Sequence, residues 1–226
     1  MTPSEKPVLS RLIMRPEEIE QLHNFRYPAL YKQLYADGML NWGAFGPEWY
    51  QKIFPTLKEH PPLLLYANDL ELLNTSMVAD YMEEGMLFAD PIHKFVPIAT
   101  SGAGDWFALY YNLQDGEDVP VVLVWHDSNE ACILAKNLQD FIFLQMLETV
   151  TDMDTNYPGL LASGDMADNC RKWLQSHAPY LTARQQEIIQ STFAKGTLTS
   201  AELRDILEAE INFQWMDSSF PYQEEI

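Results

Sequence analysis

Along the first 60 positions apolar residues recur at helical spacing, in short stretches broken by proline and glycine. Pro16 with Glu17, Glu18 and Glu20 predicts a helix start, acids at the positive end of the dipole, with Ile19 and Leu22 on its inner face. Pro28 opens a second helix, in which Leu30, Tyr31, Leu34 and Tyr35 fall at helical spacing before Gly38 supplies the left-handed residue that ends it. Residues 41–47 read as a loop, and residues 48–57 as a further short helix carrying Trp49, Tyr50, Ile53 and Phe54. Past Pro61-Pro62, the run Leu63-Leu64-Leu65-Tyr66 is compatible with a buried strand. Asn74 then caps a helix with Met77, Val78, Tyr81 and Met82 inward, closed by Gly85.

Beyond this helix the period changes. Residues 95–99, 106–111, 121–125 and 131–135 are short runs rich in aromatic or β-branched side chains, separated by turn-like residues 101–105, 115–116 and 127–129. The pattern predicts an antiparallel meander. Pro97 predicts that its strand lies at an edge or that its ladder is interrupted there. Asn137, with Asp140 three residues on, starts a helix that is apolar on almost every side, so it must be covered by more than the sheet. Residues 151–159 read as a linker, and the chain beyond it reads as helix, with cap signatures at Thr182/Gln185 and Thr199/Glu202 and a helix end at Gly196. The acidic, aromatic tail 217–226 is expected to fray. The fold class is therefore α+β: an antiparallel sheet of sequential strands packed with helices, plus an all-helical C-terminal extension. The expected division is 1–154 for the α+β domain and 155–226 for the extension.

In this order stand Phe95-Val96-Pro97-Ile98-Ala99, Gly104-Asp105-Trp106, Val121-Val122 leading to Trp125-His126-Asp127, and Ala135 with Leu138, Phe141 and Ile142. Together they resemble the SUKH superfamily, which includes the yeast cell-wall assembly regulator and many bacterial immunity proteins. Upstream, Tyr27-Pro28-Ala29-Leu30-Tyr31 through Asp37-Gly38 is similar to that family's Leu-Pro helix before an Asn-Gly turn, with Tyr27 in place of Leu and Ala36-Asp37 where Asn is usual. The resemblance implies an α+β domain that binds proteins, often as the antidote to a secreted nuclease or other toxin encoded beside it. It assigns no catalytic residue, and because such proteins bind through varied surfaces it transfers no binding residue.

Charge sharpens this picture. Residues 59–170 hold 19 acidic residues against two basic ones, Lys94 and Lys136, and so carry nearly all of the chain's net charge of −19. Like charges on one fold repel, and a cationic partner that they steer in is one reason to keep them; solubility is the other. The same sign opposes a phosphate backbone, so direct nucleic-acid binding is disfavoured. With 226 residues, of which 47% are hydrophobic, the chain has ample material for a core. No apolar run reaches the length of a membrane span, no signal-peptide core is visible, and Cys132 and Cys170 offer no disulfide framework. A cytoplasmic location is expected.

Candidate chemistry is sparse. Asp152-Met153-Asp154-Thr155-Asn156 has the opening spacing of a calcium loop, but Tyr157 stands where a glycine is needed and Ser163 where a glutamate closes the site. His126-Asp127-Ser128 contains three catalytic residue types, yet neighbours in sequence seldom face one another, and a turn at a strand end explains them better. Gly102-Ala103-Gly104 leads into a strand and is too short to cradle phosphate. The five histidines show no ligand spacing, and Trp42 and Trp49 read first as core. The expectation is a non-enzymatic immunity protein with no cofactor and no bound metal, whose partner is a cognate basic toxin, with neither nucleic acid nor membrane bound directly. Candidate partner-binding residues are Glu83, Glu84, Glu117 and Asp118. The alternative is a regulator or scaffold of the same fold without a toxin partner.

Overall fold

The computed structural model of the protein describes residues 14–84, 92–154, 159–211 and 219–222. Its sheet has six strands, β1 (Glu71–Leu72), β2 (Phe95–Thr100), β3 (Trp106–Tyr110), β4 (Val121–Val124), β5 (Glu130–Ala135) and β6 (Ser219–Pro221), in sequential order. Every neighbouring pair is antiparallel, the meander expected from the run-and-turn pattern. At Pro97, which has no amide to donate, the β2–β3 register shifts, so the proline interrupts its ladder.

Of the tail expected to fray, residues 217–218 and 223–226 lie outside the described residues, while residues 219–221 instead form the edge strand β6, with Phe220 opposite Ala131. Two aromatic side chains hold it. The Phe220 ring stacks 4.9 Å from that of Tyr110, and the Tyr222 hydroxyl lies 3.1 and 3.0 Å from the carbonyls of Trp125 and Ser128. Strands β4 and β5 lie between β3 and β6, a span of roughly 14 Å in a flat sheet, so this stacking requires a sheet strongly curled toward that face.

The N-terminal helices are α1 (Pro16–His23) and α2 (Ala29–Ala36). Ile19, Tyr31 and Leu34 are buried as expected, but Leu22 is 56% exposed. Three residues turn a helix by about 300°, and in a helix this short that offset leaves Leu22 on the flank. The predicted helix over 48–57 forms as a π turn, Trp49–Ile53, running into α3 (Phe54–Leu57). Helix α4 (Thr75–Glu84) starts where Asn74 accepts from the Met77 amide at 3.0 Å. Gly85, expected to close it, lies outside the described residues.

Leu63-Leu64-Leu65-Tyr66 is a buried turn and not a strand. Leu64 has φ 53, a left-handed conformation that breaks an extended run, and its amide finds its acceptor far away in sequence, at His177 Nε2, 3.1 Å distant. Helix α5 (Leu138–Glu148) is capped by Asn137 as expected and is buried along nearly its whole length. Helices α6 (Met166–His177), α7 (Ala183–Lys195) and α8 (Ser200–Glu210) follow it, and both predicted capping boxes form. Helix α5 packs against β5 and α2 and also against α7 and α8. Its apolar surface is thus covered partly by the chain beyond residue 154.

Polar ties reinforce this contact. Gln185 Nε2 donates to the buried Asp140 carboxylate at 2.9 Å, the Tyr180 hydroxyl donates to Asp37 at 2.8 Å, and Trp173 meets Tyr66 edge-on at 5.5 Å. Val150 and Asp152 exchange backbone hydrogen bonds with Leu198 at 2.8 and 2.9 Å, which pins the start of the predicted linker. The Asp152 carboxylate accepts from the Ser200 hydroxyl, an ordinary intrachain role for the calcium-like stretch; its Asn156 and Tyr157 lie outside the described residues.

Candidate protein-binding surface

Antiparallel strand order sorts the loops onto two ends of the sheet. At one end lies the β3–β4 hairpin. Gly116, with φ 60, occupies the first central position of its tip, and Asp115 and Asp118 exchange both backbone hydrogen bonds, at 2.9 and 3.0 Å, around it. Glu117 and Asp118 are therefore neighbours on one exposed turn, with Asp118 also accepting from Asn137 at 2.9 Å. Glu83 and Glu84 belong to the last turn of α4, and their side chains lie outside the described residues.

At the opposite end meet the segment leading into β1, the β2–β3 turn and the β4–β5 turn. They carry exposed Asp69, Glu71, Asp127 and Glu130 and half-buried Asp105. Asp105 organises this end. Its carboxylate accepts from the His126 amide at 3.1 Å and from His126 Nδ1–H at 2.7 Å, and from the Ser101 hydroxyl at 3.2 Å. Gly104 turns the chain with φ 97, and a Cβ there would come within 3.8 Å of the His126 ring. Despite the burial that disfavours its charge, these donors hold the Asp105 carboxyl below its usual range, while the Asp105 hydrogen bond raises His126.

Ser101, Asp105 and His126 are catalytic residue types, but the aspartate stands between the other two. The Ser101 hydroxyl and His126 Nδ1 each bond to the Asp105 carboxylate, so the order differs from a triad in which the histidine joins serine to aspartate. The arrangement clamps two loops together. Asp127 and Ser128 belong to the adjoining turn, whose carbonyl at Ser128 takes the Tyr222 hydroxyl. Cys170 is buried, which pushes its thiol up to about 11 and keeps it unreactive. Among the described residues no group of histidines, cysteines and carboxylates is arranged to hold a metal ion.

Beside Asp69 a groove of about 210 Å³ runs between the π turn and the segment 65–71, with Gly102 at its rim. Trp42 and Trp49 form its floor and are buried, as core residues should be. Their indole N–H groups donate to the carbonyls of Leu63 and Trp42 at 2.9 and 2.8 Å, which fixes both rings. Phe45 stacks on Trp49 at 5.2 Å and Tyr50 meets it edge-on at 5.0 Å, yet the two are 50% and 65% exposed.

The model of the SMI1 / KNR4 family (SUKH-1) matches residues 15–143, more than half of the chain. The chain belongs to this family. No curated protein and no solved structure matches it. The SUKH-1 span runs from α1 into α5, and so includes the N-terminal helices whose motif departs most from the usual one. Membership is consistent with a toxin-immunity role and suggests interaction with proteins in general, in a family known for immunity and regulation more than catalysis. No helix among the described residues is long and apolar enough to cross a membrane.

Several SUKH-1 motif residues hold the fold together. Phe95 stacks on Tyr110 at 4.9 Å, Trp106 meets Tyr81 at 4.4 Å, and Gly104-Asp105 with His126 makes the loop clamp. Sequence reasoning missed the acids gathered at the clamp end, since they come from separate loops, and missed the exposure of Phe45 and Tyr50. The only signal for the groove in the sequence is Pro55, which cannot donate to a carbonyl of the preceding turn; the Phe54 amide bonds five residues back to Trp49 there.

Proposed function

We propose that this SUKH-1 protein is a bacterial immunity protein that binds and neutralises a basic toxin domain, a nuclease in the simplest case, without catalysing a reaction. Family membership carries the reading, and the charge supports it: a nuclease needs cations to hold phosphate, and acids facing those cations compete as the nucleic acid does. Glu117 and Asp118 on their hairpin, with Glu83 and Glu84 at the end of α4, are proposed as steering charges. The acids at the clamp end extend that field to the groove. The division at residue 154 remains a proposal, since the family match ends at residue 143 and helices beyond 154 take part in covering α5.

Co-expression tests this function. Induced with the toxin domain encoded beside its gene, the full chain should restore growth and co-purify with the toxin in a fixed ratio. Growth arrest despite abundant soluble protein would reject the immunity role and leave a regulator or scaffold of the same fold.

A further inference from the structure

The groove beside Asp69 has the features of a socket for one side chain. Its volume of about 210 Å³ falls below the several hundred Å³ typical of small-molecule sites. Its aromatic wall is rigid, because both tryptophans are tied to backbone carbonyls, yet Phe45 and Tyr50 leave ring surface in water. Exposed aromatic rings beside a fixed, buried aromatic floor are typical of interface anchors, which large rings supply at little entropic cost. The π turn presents Tyr50 to solvent, and such turns recur at functional sites.

Asp69 and Glu71 also line the groove, and neither forms an ion pair with a lysine or arginine among the described residues. Asp69 is held in place, since its carboxylate accepts from the Gly102 amide at 2.7 Å. The groove thus brings aromatic and acidic residues together, a lining that suits a cation. Lysine is compact and strongly hydrated, whereas the guanidinium of arginine is planar, weakly hydrated, stacks on rings and forks onto carboxylates.

We propose that the groove between Phe45/Tyr50 and Asp69/Glu71 receives an arginine side chain from a basic protein partner. This deepens the reading of the chain as a binder of basic toxins, and names the anchor that would set its residence time.

The test uses the full chain labelled with ¹⁵N at tryptophan and the capped tripeptides Ac-Gly-Arg-Gly-NH₂, Ac-Gly-Lys-Gly-NH₂ and the neutral citrulline analogue. The arginine peptide should shift the indole N–H signals of Trp42 and Trp49 saturably. Lysine should bind at least threefold more weakly, and citrulline at least tenfold. The double variant Asp69→Asn/Glu71→Gln should weaken arginine binding at least tenfold, with its melting curve unchanged, because asparagine tolerates the left-handed backbone at position 69 and keeps an acceptor for Gly102. Tyr50→Ala should weaken it severalfold, and Glu117→Gln/Asp118→Asn should leave it unaltered.

Absence of saturable shifts at these two indoles, or equal binding by the double variant, would overturn the socket. The peptides test the socket without the toxin, so its failure is distinguishable from failure of the immunity role. Toxin neutralisation with no arginine response would leave the immunity role standing on another surface.

Discussion

Replacing His177 with alanine should unfasten the C-terminal helices from the buried turn 63–66, with a pH signature that identifies the cause. The imidazole is fully buried, and the Leu64 amide can only donate, so Nε2 is the acceptor and the proton resides on Nδ1, 3.0 Å from the Trp173 carbonyl. Its removal leaves the Leu64 amide buried without an acceptor, which costs about 1–3 kcal/mol. Lost packing against the Trp173 ring, 5.9 Å away, adds about 1–2 kcal/mol, for a total near 3 kcal/mol at neutral pH. Burial lowers the imidazole pKa to about 3, so the folded state holds it neutral. The stability tied to this neutral ring is complete above the unfolded pKa of about 6.5 and is lost as pH falls toward 3, at about 1.4 kcal/mol per pH unit. The gap between wild type and His177→Ala should therefore narrow by about 2 kcal/mol between pH 6.5 and pH 5. Urea unfolding of both proteins, followed by tryptophan fluorescence at several pH values, measures that gap while the carboxylates common to both cancel. A gap that stays constant or widens as pH falls would refute the assigned roles of the two ring nitrogens.

Two further predictions concern the clamp and the chain division. Asp105→Asn should lower the pKa of His126, read from its ring-proton shifts, because the carboxylate hydrogen bond is what raises it; stability from this pair is present below the unfolded histidine pKa and is lost as pH rises through the folded one. An unchanged His126 titration would remove Asp105 as the cause. A chain ending at Asp154 should aggregate or unfold non-cooperatively in circular-dichroism melts, since it loses the α7 and α8 cover of α5, the His177 acceptor and strand β6 together. A soluble fragment with a sharp two-state transition would show that the family-like part stands alone.

The legible parts of the fold are those fixed by local chemistry. Alternating strands, their turns and the caps at Asn137, Thr182 and Thr199 each depend on residues a few positions apart, so pattern alone locates them. Leu63-Leu64-Leu65-Tyr66 resists such reading. A four-residue apolar run fits a strand or a buried turn equally, and what decides is an acceptor supplied by His177. The tail misleads for a related reason, since its acidity suggests fraying while Phe220 and Tyr222 find their partners on β3 and around the β4–β5 turn. For the candidate surface, charge counts reveal an acidic middle but not which loops share an end of the sheet. Asp69, Glu71, Asp105, Asp127 and Glu130 come together only through strand order. The aromatic groove is less legible still, because Trp42 and Phe45, or Trp49 and Tyr50, look alike in sequence and differ only in which one the fold buries.

Binding kinetics of the full chain against the neighbouring toxin domain, across a salt series, test the central claim most directly. Raising salt from about 0.1 M to 1 M shrinks the screening length from about 10 Å to about 3 Å, so the on-rate should fall at least tenfold while the off-rate changes much less. Reversing Glu117 with Asp118, or Glu83 with Glu84, should lower the on-rate at low salt, and each exposed reversal on the hairpin should alter stability by less than about 1 kcal/mol. Asp69→Asn/Glu71→Gln should instead act mainly on the off-rate. An on-rate indifferent to salt and to every reversal would contradict the account, leaving the acids to serve solubility alone.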